Sequence, residues 1–92
     1  MIRRDGQRLL LDGPVTLATH VALRDAATPL MTDAALEIDW QGVDAVDSSA
    51  LSLILHWRRA AVAAGRSITL HNLPSGVTAL AELYGVSEFV DG

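Results

Sequence analysis

Leu36-Glu37-Ile38-Asp39-Trp40 leads through Val46-Asp47-Ser48-Ser49-Ala50-Leu51 into a long apolar stretch, and Ser67-Ile68-Thr69-Leu70 follows it. Leu36, Ile38 and Trp40 alternate with Ala35, Glu37 and Asp39, which predicts a half-buried strand over residues 35–40. Residues 41–46 read as a short connection. Asp47 or Ser48 is placed to cap a helix that reaches about residue 64, and Gly65 suits its C′ position. Residues 67–70 form a second strand, with Ile68 and Leu70 on one face. A strand–helix–strand unit of this length predicts a parallel pair with a right-handed crossover.

On the N-terminal side, two short strand-like runs at residues 2–4 and 8–11 flank Asp5-Gly6, a hairpin signal because glycine tolerates positive φ. Asp12-Gly13-Pro14 is expected to break the second run. Thr16 is a candidate cap for a helix over residues 17–27, with Leu17, Val21, Ala18 and Ala22 toward the core. Thr28-Pro29 ends it, since a residue before proline is pushed out of the α region. On the C-terminal side, Pro74 and Ser75 start a last helix with Val77, Leu80, Ala81 and Tyr84 inside. Gly85 ends it, with Val86 as the apolar contact of a Schellman cap. Residues 88–90 read as a short final strand. The order β-β-α-β-α-β-α predicts an α/β fold, one mixed sheet with helices packed on it, in a single domain over residues 1–92.

Composition narrows the function. With 92 residues the chain is long enough for one modest core. Half its residues are hydrophobic, which sets it apart from disordered chains. The formal net charge of −4 and the scattered arginines give no basic stripe, so nucleic acid is not an expected partner. There are no cysteines, hence no disulfide or thiolate metal site, which suits a reducing compartment. No apolar run approaches the ~18 residues of a membrane span, and the start lacks the apolar segment of a secretory signal. The expected location is the cytoplasm.

Few residues carry recognisable chemistry. His20, His56 and His71 fall on different elements without metal-ligand spacing. Asp39, Asp44 and Asp47 surround one strand-to-helix connection, where paired carboxylates could do acid–base work. Asp is also a preferred turn and cap residue, and no nucleophile accompanies these three. Phosphate-cradling glycine motifs are missing. No catalysis and no cofactor are expected. The sharpest feature is Ser48 at the start of the long helix. Its hydroxyl could cap the helix, or face outward where free N–H groups favour a phosphate or a partner's acceptor. Along that helix Ala50, Leu53, Ile54, Trp57, Ala61 and Ala64 form a core stripe. Leu51, Leu55, Arg58 and Val62 extend it, while Ser52, His56 and Arg59 lie opposite. So wide an apolar surface fits either a broad core face or a partner surface.

Residues 35–40, the Asp47-Ser48-Ser49-Ala50-Leu51 run, the long helix, Gly65 and the strand beyond resemble the STAS domain family, found in bacterial anti-anti-sigma factors and in transporter regulatory domains. Leu53-Ile54-Leu55-His56, and Thr69-Leu70 followed by Val77-Thr78-Ala79-Leu80-Ala81-Glu82-Leu83-Tyr84-Gly85-Val86, resemble the MlaB-like branch. Those proteins are cytoplasmic STAS subunits of the Mla ABC complexes, which move phospholipid to maintain outer-membrane asymmetry. The resemblance implies that Ser48 is the phosphorylatable or partner-contacting residue. It makes Asp47 the acidic residue before it, Asp39 the aspartate ending the preceding strand, and Ser49 a supporting member of the motif. Ala50 stands where the family usually has glycine. Alanine is the better helix former, and its methyl is expected to crowd a partner at the helix start.

Two functions follow from the resemblance. In the first, the chain is a non-catalytic subunit that binds and stabilises or activates an MlaF-like ABC ATPase within a permease complex, peripheral to the inner membrane. Ser48, Ser52, His56 and Arg59, with part of the last helix, would form its contact surface. In the second, it is an anti-anti-sigma factor that binds an anti-sigma Ser/Thr kinase until phosphorylation of Ser48 releases it, with Asp39 and Asp47 sharpening the repulsion. A small-ligand-binding STAS domain is a third possibility.

Overall fold

The computed structural model describes residues 1–90. Strands β1 (Ile2–Asp5), β2 (Arg8–Val15), β3 (Ala35–Val46) and β4 (Ser67–His71) form one sheet in the order β1-β2-β3-β4. β1 pairs antiparallel to β2 across the Gly6 turn, and β2, β3 and β4 run parallel. Helices α1 (His20–Ala27) and α2 (Ser49–Ala63) make the two crossovers, and α3 (Ser75–Leu83) follows β4. The fold is the expected mixed α/β sheet, with β2-α1-β3 as a second parallel unit.

β2 and β3 are both longer than their sequence suggests. Asp12-Gly13-Pro14 does not break β2, which continues to Val15, and residues 41–46 are strand and not a connection. The cause is two shifts of register, between Leu10 and Asp12 and between Gly13 and Pro14, where β3 supplies the extra residues. A proline lacking its N–H is tolerated at such an irregularity, and the shifts erase the alternation that marks a strand. At the first shift β2 lies close against β3. A Cβ on Gly42 would stand 2.9 Å from both the Asp12 Cβ and the Leu11 carbonyl oxygen.

The helices cover the sheet face that carries Leu9, Leu11, Leu36, Ile38 and Ile68, and these join Leu53, Ile54, Trp57, Val77 and Ala81 in one core. A large aliphatic side chain buried this way contributes about 1.5–3 kcal/mol. Trp40 and Trp57 tie β3 to α2, with ring centroids 6.3 Å apart and planes inclined by 71°. Asn72, after β4, takes φ 56°, in the left-handed region that Asn adopts more readily than most residues. 

Three expectations about the helices are corrected. α1 begins at His20, because the Thr19 hydroxyl donates to the Pro14 carbonyl and accepts the Thr16 N–H, holding residues 16–19 as a turn. The later start turns Leu23 and Ala27 inward and leaves Leu17, Ala18, Val21 and Ala22 exposed. In α2 Ala64 and Val62 are exposed and Leu55 and Arg58 half-buried, while the rest of the expected stripe is buried. In α3 Tyr84 points to solvent, and residues 87–89 form a 3₁₀ turn (Ser87–Phe89) where a strand was expected. Both glycine-ended helices close as Schellman motifs: Arg66 N–H donates to Ala61 O, and Val86 N–H to Ala81 O.

Candidate functional site

The start of α2 is built by Asp47. One carboxylate oxygen accepts the Ser49 N–H at 2.8 Å, and the other accepts the Leu17 N–H at 2.9 Å. One side chain therefore satisfies a free helix N–H and pins the turn before α1 against α2. The Leu17 and Ser49 N–H bonds hold the carboxyl of Asp47 below its ordinary range, with a further contribution from nearby His20. Ser48 occupies the N-cap position, but its side chain makes no capping bond. Its residue is exposed, so the hydroxyl is left facing outward at the positive end of a helix of 15 residues. Ser49 is buried at the same turn.

From Ser48 an exposed stripe runs along α2 through Ser52 and Arg59, four and eleven residues on. Ser48, Ser52 and Leu55 line a hollow of about 270 Å³ against Tyr84 and Val86. Leu55, Arg58 and Arg59 line the next, of about 520 Å³, with Val62, Ala63 and Phe89. Leu55 lines both, so the two adjoin at that side chain. His56 is exposed on the other flank of the helix, at a hollow of about 200 Å³ lined by Thr28, Met31 and Trp57. The structure thus brings Ser48, Ser52 and Arg59 into one surface and sets His56 at its margin.

Asp39 belongs elsewhere. It lies mid-strand, not at the strand's end, and is buried. Its Oδ1 accepts the Gln41 N–H at 2.9 Å and the Asn72 amide at 3.0 Å, while Oδ2 meets the Arg8 guanidinium at 3.3 Å. Burial pushes the carboxyl up. The Asn72 amide, the Gln41 N–H and Arg8 together outweigh that and hold it below its ordinary range. β2 partners place Asp39 opposite Leu10 and Val46 opposite Val15, so Asp39 is on the order of 15 Å from the start of α2. It fastens the open sheet face and cannot sharpen repulsion at Ser48. Asp44 is exposed in β3. The open face also carries His71, whose Nε2 is 2.9 Å from Glu37 Oε1. Among the described residues no three His, Asp or Glu side chains converge as a metal site, and no helix is long and apolar enough to cross a membrane.

Ala50 is fully buried. Its methyl therefore faces the core, and the expected crowding of a partner does not arise. Tyr84, Val86 and Phe89 stand across from α2; part of the last helix was expected there, but not the turn that carries Phe89. Tyr84 was assigned inward from its spacing. The one usable signal was Gly85, which ends α3 and turns the chain back toward α2.

A family model described as "Mlab, STAS domain" matches residues 1–91. Among solved structures, the unphosphorylated anti-sigma factor antagonist SpoIIAA superposes with a TM-score of 0.73 at 15% identity, over 97% of this chain and 83% of that one. A crystal structure of Mglu superposes with a TM-score of 0.60 at 26% identity, over 80% of this chain but 19% of that one. This chain thus spans about a fifth of Mglu's length. No curated protein sequence matches it.

Proposed function

The chain belongs to the STAS domain family, in the group described as MlaB-like, and from this membership we propose that it is a non-catalytic docking subunit of an ABC-type phospholipid transport system. In this reading it binds the cytoplasmic ATPase subunit with the exposed stripe of α2 and stabilises or activates it. The chemistry belongs to the ATPase. The observation that supports docking most directly is Ser48: its hydroxyl stands free of capping at the head of a surface that continues through Ser52 to Arg59. Interfaces of this kind concentrate their energy in a few residues, arginine often among them.

Pull-down with the ATPase subunit of an ABC-type phospholipid transporter from the same cell tests the reading. Arg59→Glu is expected to abolish association while circular dichroism stays unchanged. A reversed charge on an exposed site alters stability little, but in a docked site it leaves a carboxylate buried without a partner. Ser48→Ala is expected to weaken association. If both variants bind like wild type, docking uses another face.

The free Ser48 hydroxyl also favours a second reading, an anti-anti-sigma switch. A phosphate there would add about −1.5 to −2 charges beside Asp47 and drive off an acidic partner surface. Incubation with an anti-sigma Ser/Thr kinase from the same cell and ATP separates the readings. Phosphate on Ser48, with loss of kinase binding, supports the switch; an unmodified chain leaves transport docking as the function.

A further inference from the structure

Among the described residues Arg58 has no counter-ion. Its Nε donates to the Phe89 carbonyl and its Nη1 to the Ile68 carbonyl at 3.2 Å, but its Nη2 is buried and has no partner among the described residues. Neither Arg58 nor Arg59 forms an ion pair there, while Arg4, Arg8 and Arg24 each do. Desolvation lowers the pKa of Arg58, so the fold makes its charge less favourable than in water. The guanidinium of Arg58 is held by the Phe89 and Ile68 carbonyls out of a partner's direct reach and lends positive charge to the surface, while the exposed Arg59 beside it is the group that a carboxylate can meet.

The two arginines line the 520 Å³ groove, whose other walls are Leu55, Val62, Ala63 and Phe89. Val62 is 79% exposed and Phe89 37%. Leu55 and Val62 stand two turns apart on α2, about 10.5 Å. The chain as a whole carries −4, whereas the described lining of this groove holds two arginines and no carboxylate. Such a reversal selects and orients a partner segment of opposite sign. We propose that the groove receives an amphipathic helix of the docking partner, its apolar residues seated between Leu55, Val62 and Phe89 and an acidic side chain on Arg59, with the charge of Arg58 behind it. The helix lies along α2, because apolar anchors at a two-turn spacing match a helix set in a groove. This contact lies at the far end of α2 from Ser48 and gives the partner a second hold. It rests on the docking reading only in that α2 meets a protein.

The test uses the full chain, isotope-labelled, titrated with two synthetic helical peptides of about four turns. Both carry leucines at the same two-turn spacing; one has glutamate flanks and the other lysine flanks. The acidic peptide is expected to shift the amide signals of Leu55, Val62, Ala63 and Phe89, with affinity falling as salt rises. It is expected to bind at least about tenfold more tightly than the basic one. Arg59→Glu is expected to reverse that preference, and Val62→Asp to remove binding of either peptide. Ser48→Ala leaves the titration unchanged. Equal binding of both peptides, no binding by either, or shifts elsewhere overturns the proposal. Shifts of the groove signals with phosphatidylglycerol vesicles and not with the acidic peptide overturn it in favour of a lipid surface. Shifts on concentrating the protein alone do so in favour of a second copy. No ATPase enters the titration, so it can fail while the pull-down succeeds, and the reverse.

Discussion

Asp39 and Asp47 look alike in the sequence and do different work. Asp47 ties two backbone N–H groups together at the start of α2. Asp39 holds three donors from two neighbouring strands and the turn after β4. Replacing Asp39 by alanine leaves the Asn72 amide and Arg8 without their acceptor, and is expected to cost about 1–3 kcal/mol in chemical denaturation. Both carboxyls titrate below their ordinary range when folded. Their stabilisation is therefore complete above the unfolded value, near pH 4, and is lost as pH falls through the lower folded values. Stability should drop in that acid window, and Asp39→Asn should differ most from wild type near neutrality and converge with it in acid. A difference that stays constant down to pH 2, near the foot of that window, would refute the linkage. Ser48 behaves in the opposite way. Its hydroxyl caps nothing, so Ser48→Ala is expected to change stability by less than about 0.5 kcal/mol. A loss of 1 kcal/mol or more, of the order a cap supplies, would return Ser48 to a purely structural role.

At the scale of elements, the strand pairing depends on Gly42. A methyl there meets the Leu11 carbonyl and the Asp12 Cβ at 2.9 Å, and backbone cannot swing aside as a side chain can. Gly42→Ala is expected to destabilise by about 1–3 kcal/mol, and amide exchange should quicken in β2 and β3 ahead of β4. Uniform protection in the variant would mean that the two strands absorb the methyl. The same irregularity explains what the sequence could and could not tell. Leu36, Ile38 and Trp40 alternate cleanly, and the first half of β3 was legible from them. Beyond Asp39 each register shift moves the pattern by one residue, so residues 41–46 looked like a connection. Start and stop signals were legible where one residue type dominates the geometry, as at Gly65 and Gly85, both with positive φ. α1 was misplaced by three residues because Thr16 and Thr19 are both competent at a helix start. Only the tertiary bond from Thr19 to Pro14 chooses between them. The candidate surface was half legible: helical spacing puts Ser48, Ser52 and Arg59 on one side, but what stands across from them comes from α3 and the turn after it.

Across the whole molecule, one core joins all four strands to the three helices, and its centre is the Trp40–Trp57 pair. Both tryptophans are buried, and neither indole N–H has a hydrogen-bond partner among the described residues. The edge of one ring faces the other, a geometry that stabilises aromatic pairs by about 0.5–1.5 kcal/mol beyond burial. Because no hydrogen bond is lost, Trp57→Phe removes volume and ring contact alone. Trp57→Ala opens a cavity between α2 and β3 and is expected to cost about 3–5 kcal/mol, with Trp57→Phe well below that. Total stability for a chain of this size lies around 5–15 kcal/mol, so the alanine variant should sit close to unfolding at room temperature. These are the only two tryptophans, and they report on the seam between helix and sheet. Fluorescence and far-ultraviolet circular dichroism should therefore follow one coincident denaturant transition, as a single cooperative core requires. If fluorescence changes at lower denaturant than dichroism, α2 loosens from the sheet before the strands part. The proposed docking surface would then be carried on an element able to move separately from the sheet beneath it.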